Sequence, residues 1–318
     1  AMAAGGTLSL DADLTDVTKP ILIPAGKDFT LDLKGHTISG TADFILEVQE
    51  SAKLTIIDSS SGKKGAITAT GMHGAGVDNY GTLEVSGGTI TGNDAGVYNA
   101  DILEVSGGTI TATGNNGCGV YNFGILEVSG GTITSGNYTG VYNDGTLKVS
   151  GGSITGEGSS GVYNLDILEV SGGTITGNYS GVNNDGTLKV SGGSITGGSY
   201  GVNNYGTLKV SGGSITGNDA GVNNRSEEGV AFYLSGSPTI TGRLVLETPV
   251  TLVGALTGSG TYTVDTGSLT DTVIAQGGSA TGGTAYQITE SDKGKFTVDS
   301  NALKLEGNKI VWTEQATQ

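Results

Sequence analysis

The chain has 318 residues, a formal charge of −16 and only two arginines, Arg225 and Arg243. Nucleic acid, whose phosphates need clustered Lys and Arg, and anionic membrane surfaces are therefore excluded as partners. Its 59 glycines keep no three-residue period and its prolines number 4, which excludes collagen, while evenly spaced Val, Leu and Ile set it apart from disordered tracts.

One cysteine, Cys118, rules out an internal disulfide framework and is compatible with export. No apolar run approaches the roughly 20 residues of a membrane helix, so no membrane insertion is expected. No signal peptide is read in the opening residues, and "AMAA" is expected to be the cut end of a longer chain. Residues 1–43 are expected to hold a capping segment and a first coil, the coil lying in "ILIPAGKDFTLDLKGHTISG" at 21–40. From residue 44, "FILEV", "KLTIIDSS" and "GAITATG" fit three strand slots with longer corners.

Regular repetition covers 76–224, where "GVYNDGTLKVSGGSITG" at 140–156 returns as "GVNNDGTLKVSGGSITG" at 181–197. The valine of each "GV" falls at Val77, Val97, Val120, Val141, Val162, Val182, Val202 and Val222, spaced by 20, 23, 21, 21, 20, 20 and 20 residues. Within a unit three segments alternate with period two, as in Val97-Tyr98-Asn99, Leu103-Glu104-Val105 and Thr109-Ile110-Thr111, and period two predicts strands. Such short strands cannot bury their apolar side chains within one unit, so each unit must stack on the next. The expected fold is all-β: a single-stranded, right-handed parallel β-helix over 44–266, with three short strands per coil of about 20 residues.

After the first strand of each unit an Asn recurs at 79, 99, 122, 143, 164, 184, 204 and 224. Stacked amides can bond along such a column and satisfy corner backbone groups, so Asn79, Asn99, Asn122, Asn143, Asn164, Asn184, Asn204 and Asn224 are read as a structural ladder. The Gly or Asp two residues on, as in Asp144-Gly145, is expected to supply a left-handed corner. Downstream, "FYLSGSPTITG" and "RLVLETPVTLVGALTG" continue the coil. Residues 267–318 are expected to form a small β cap, with "AYQITE", "KFTVDS" and "ALKLEGNKIVWTE" as antiparallel strands and Gly307-Asn308 as a hairpin turn.

The opening coil, the "GTLEVSGGTITGN" units and the closing "GSPTITGRLVLE" stretch resemble the β-helical regions of large surface proteins from clostridia and related Gram-positive gut bacteria. The likeness spans roughly 5–265. It implies an exported, cell-surface, adhesin-like or glycan-binding protein, and no sortase-type anchor, surface-layer module or catalytic domain is read in residues 1–318.

Chemistry is sparse. Asp78, Asp94, Asp101, Asp144, Asp166, Asp185 and Asp219 fall mostly at corners, each with its own turn explanation, and no two must converge. His36 and His73 lack partners at metal-binding spacing, so neither a metal nor another cofactor is expected. Cys118 takes a slot held elsewhere by Ala95, Ser180 and Ala220 and reads as a buried filler. The second strand presents Glu84, Glu104, Glu127, Lys148, Glu169, Lys189 and Lys209, read as a column for solubility and register. The third presents paired hydroxyls such as Thr109/Thr111, which resemble ice-binding faces but also suit any exposed strand.

The first strand presents Tyr98, Tyr121, Tyr142 and Tyr163, then Asn183 and Asn203. Aromatic area beside amides and hydroxyls suits sugars, which makes these the candidate ligand residues, while stacked tyrosines also stabilise one another as cross-strand pairs, the structural reading of the same column. The reading is a non-enzymatic, extracellular spacer or adhesin-like scaffold, with cell-surface, dietary or host glycans as its expected partners and a monomer slightly favoured. A carbohydrate-binding module using the Tyr/Asn column is the alternative, ahead of a polysaccharide lyase or an ice-binding protein.

Overall fold

Burial follows the period-two pattern residue by residue: in Thr109–Ala112 and its equivalents the second and fourth residues are buried and the first and third face outward. The computed structural model describes residues 5–62, 64–225, 229–266, 269, 272–279, 281–298 and 302–313. The "AMAA" opening, Asp299 to Asn301 and residues 314–318 lie outside the described residues. Val97 pairs with Val77 and Val120, Leu103 with Leu83 and Leu126, and Ile110 with Ile90 and Ile133, always in parallel register. All nine are fully buried. The chain is a parallel β-solenoid of about 13 turns with a spacing near 21 residues.

Burying one Val, Leu or Ile is worth ~1.5–3 kcal/mol, but here the covering atoms belong to the coils above and below, so stability resides between neighbours. The second strands form one sheet that the C-terminal hairpin extends to 15 strands. The first and third strands build two further faces, joined where Ser214–Asn224 and Thr239–Leu246 run from a third-strand slot around the corner into a first-strand slot.

The left-handed corner is not where the sequence suggested. Gly81, Gly124 and Gly145 have ordinary backbone, and positive φ belongs to the second glycine of each "SGG", such as Gly152 at 68° and Gly173 at 69°. At the Asn corner the side-chain amide holds the turn instead, so no left-handed residue is needed there.

Stacking begins earlier than residue 44. Gly6–Ser9 pairs with Asp28–Asp32, Leu14–Val17 with Thr37–Gly40, and Ile21–Ile23 with Phe44–Val48, all parallel. Gly6–Ser9 and Leu14–Val17, expected as a cap, are thus solenoid strands that stack on the first coil expected at 21–40, and Leu8 and Leu14 on them and Leu22 on Ile21–Ile23 are 42%, 44% and 50% exposed.

The C-terminal end is covered. Ala302–Glu306 and Lys309–Thr313 form the expected hairpin around Gly307, and the second strand pairs antiparallel with Val273–Gly277. Two expectations fail there. Phe296–Val298 pairs parallel, with Tyr262–Asp265, and "AYQITE" is irregular and leads into a short helix, Glu290–Lys293. For "AYQITE" the reason is side-chain capture: Asn308 accepts from the Ile288 N–H and donates to the Tyr286 carbonyl, replacing a strand partner. Asp292, fully buried, accepts from the Leu256 N–H at 2.9 Å and pins the helix to the last coils.

Candidate functional site

The Asn ladder forms as the spacing predicts. Each Nδ2 donates to the next Oδ1 at 2.6–2.8 Å, from Asn79 through Asn99, Asn122, Asn143, Asn164, Asn184 and Asn204 to Asn224. Asn224 ends the row on the Thr248 hydroxyl at 2.9 Å. Every member is fully buried, so the ladder binds the solenoid to itself and offers nothing to solvent.

On the other side of the same strands the outward column runs Glu47, Asp78, Tyr98, Tyr121, Tyr142, Tyr163, Asn183, Asn203, Asn223. Strand register puts these side chains one above another, and the rings meet. Tyr98 and Tyr121 are stacked at 5.0 Å and 8°, Tyr142 and Tyr163 at 5.7 Å and 9°, and Tyr121 and Tyr142 tilt by 50° at 5.6 Å. The rings are half-buried, with their faces spent largely on one another. The Tyr98 hydroxyl donates to Asp94, Tyr121 to the Asn116 carbonyl and Tyr163 to Asp185. Burial raises the phenols of Tyr98 and Tyr121, and the bond to Asp185 together with burial pushes Tyr163 up to about 12.

Free aromatic surface is found at the two ends of the stack. Toward the N-terminus, Phe44, Asp78, Tyr80, Tyr98 and Phe123 line a cleft, with Phe44 edge-on to Tyr98 at 6.1 Å. Toward the C-terminus the ring ladder stops at Tyr163, and Tyr163, Asn183, Asp185 and Tyr205 bound an open notch. Of the six candidate ligand residues, the four tyrosines and Asn183 are partly accessible. Asn203 is not: it is 5% exposed, because its amide donates to the Tyr205 hydroxyl and Arg225, paired with Glu247, lies over that ring.

Asp78 is the residue the sequence reading misplaced. It occupies the tyrosine slot of its coil rather than a corner, 6% exposed, directly below Tyr98. Burial, aided by repulsion from Glu47, raises its carboxyl against the bond from Tyr80. Aligning "GVDN" with "GVYN" is the signal that would have found it.

The other carboxylates are structural or dispersed. Asp32 and Asp58 accept corner N–H groups of Lys34, Ser59, Gly35, Ser60 and Gly65. His36 meets Asp13 at 3.2 Å on the surface. Among the described residues no three His, Cys, Asp or Glu side chains cluster as metal ligands. Cys118 is a buried filler, its thiol pushed up to about 11 by burial. No described helix is long and apolar enough to cross a membrane.

Fold and site together define a β-solenoid with an internal amide ladder and an external aromatic column. Compared with known proteins, the chain matches no protein family, no curated protein and no solved structure.

Proposed function

We propose that the chain is a rigid, non-catalytic β-solenoid spacer of an exported bacterial surface protein, adhesin-like in carrying a binding face along its length. The observation that carries this reading is the unbroken ladder from Asn79 to Asn224 within coils that repeat in register. Stacking of this kind resists bending and extension, and its uniform coils lack the local breaks where a catalytic site would be built. The dispersed corner carboxylates support the same view. Pulling the chain end to end by atomic force microscopy tests the mechanical role. A spacer holds until coils give way one by one at high force, whereas gradual stretching at low force would discard the idea.

A second reading, carbohydrate binding, draws on the notch at the C-terminal end of the tyrosine stack. There one face of Tyr163 is not covered by a further ring, and the Asn183 amide, the Asp185 carboxylate and the Tyr205 ring stand around it. A pyranose needs such a platform with polar groups at its rim. From the Asp78 coil to the Tyr205 coil the column runs roughly 29 Å at the strand spacing, which suits an extended glycan. A glycan array on the purified chain, followed by titration of the best oligosaccharide against Tyr163→Asn, decides it. Later coils already use Asn in that slot, so the variant keeps its fold, and undiminished binding would move the site off the column.

A further inference from the structure

Between residues 76 and 224 the only cationic side chains are Lys148, Lys189 and Lys209. All three stand in one in-register column on the outer face of the second-strand sheet, with Glu84, Glu104, Glu127 and Glu169. Glu84 is already answered by Lys53 at 2.6 Å and the Thr55 hydroxyl at 2.9 Å. The remaining row reads Glu104, Glu127, Lys148, Glu169, Lys189, Lys209. Reversed in order and in sign, it is the same row. The adjacent outward column obeys the same code: Ile102, Ile125 and Ile167 accompany the glutamates, and Thr146, Thr187 and Thr207 the lysines. Ile125 and Ile167 are 42% and 39% exposed.

A face with this property is complementary to itself. A second copy can be turned about a two-fold axis along the strand direction, set between the coils of Lys148 and Glu169. The rods then run antiparallel and column meets column. Glu104 faces Lys209 of the second copy, Glu127 faces Lys189, Lys148 faces Glu169, and each isoleucine faces a threonine methyl. A glutamate and a lysine end to end span the ~10 Å between packed sheets.

Within one chain Lys148 pairs with Glu127 at 2.8 Å and Lys189 with Glu169 at 3.6 Å. Among the described residues Glu104 has no ion-pair partner, and Lys209 has only the Tyr233 ring at 5.7 Å. The two ends of the row are therefore the places a second copy would complete. Elsewhere the repeats carry only carboxylates, including Asp94, Asp144, Glu157 and Asp219, so two copies of a chain of charge −16 repel through the other faces of these coils.

We propose that the chain forms an antiparallel homodimer through the outer face of its second-strand sheet, registered by the row from Glu104 to Lys209. Six coils at ~4.8 Å by four residues at ~3.3 Å give a patch of roughly 380 Å² per copy, about half the area of a standard stable interface. The dimer is accordingly weak, concentration-dependent and sensitive to salt.

Sedimentation velocity of the whole chain over a concentration series tests it, with circular dichroism as the folding control. At low salt the parent should pass from monomer to dimer, and high salt should reverse this. Glu104→Lys and Lys209→Glu each place like charges opposite one another twice per dimer, and each alone should weaken association by about tenfold or more. An equimolar mixture of the two should restore it, because each variant supplies the charge the other lacks. Mixing Glu104→Lys with Lys148→Glu should restore nothing, since those positions do not face each other in this register. A parent that stays monomeric throughout at low salt overturns the proposal, as do single variants that associate like the parent or a first mixture that fails to recover.

Discussion

Removing Asn143, at the middle of the ladder, is the sharpest test of what holds the solenoid together. Its Oδ1 accepts from Asn122 at 2.6 Å, and its Nδ2 is shared among Asn164 Oδ1 at 2.7 Å, the Gly145 carbonyl at 2.9 Å and the Ile167 carbonyl at 3.0 Å. In Asn143→Ala, Asn122 keeps its bonds to the Gly124 and Thr146 carbonyls, and Gly145 O keeps the Ile167 N–H. The group left unanswered is the buried Oδ1 of Asn164, costing ~1–3 kcal/mol. The lost side-chain volume in a closed interior adds up to about 1 kcal/mol, for a total of about 1–4 kcal/mol. Asn224→Ala is the comparison, because Asn224 is the last rung: its loss deprives the Asn204 amide, which keeps the Gly206 carbonyl, and the Thr248 hydroxyl, which is partly exposed and open to water. It should cost under half as much. Urea denaturation followed by circular dichroism gives the totals, and hydrogen exchange shows whether the coils flanking residue 143 open first, which matters because a repeat array need not unfold in two states. Equal losses at the two positions, or a midpoint for Asn143→Ala matching the parent's, would refute the argument.

Asp292 is held below the usual aspartate range: burial opposes its charge, but the Leu256 N–H, the Thr289 hydroxyl and N–H and the Tyr286 hydroxyl outweigh it. Its contribution to cap docking is thus present above the ordinary aspartate pKa and lost as pH falls through the lowered folded value. Acid titration of Trp312 fluorescence should show the cap loosening, and Asp292→Asn should weaken the cap at neutral pH and flatten this dependence; an unchanged profile counts against the hub. The Cys118 thiol, buried and raised to about 11, should resist thiol reagents until urea unfolds the coil, and rapid labelling of the native chain would contradict its burial. Incubation with pectin, alginate or glycosaminoglycans, with or without calcium, should release no new ends; turnover lost on substituting Asp78 alone would install an active site beside Glu47.

The solenoid and its ladder were legible in the spacing of the repeats. In-register stacking is a one-dimensional property: if Val97 lies over Val77, then Asn99 must lie over Asn79, and every column follows from the spacing. What escaped it depends on groups brought together from different coils. Nothing local marks Gly6–Ser9 and Leu14–Val17 as strands, because their alternation is irregular and only the pairing with later coils defines them. The corner after each Asn needs no left-handed residue because the amide closes it, and the second glycine of "SGG" takes that geometry instead. "AYQITE" has the composition of a strand, yet Asn308, folded back from the hairpin, claims the backbone groups a strand would use. The tyrosine column and the stacking of its rings in register were legible in the spacing, but how much of each ring face that stacking spends was not. Nor was the burial of Asn203, which Tyr205, Arg225 and Glu247 close over only once three successive coils are stacked.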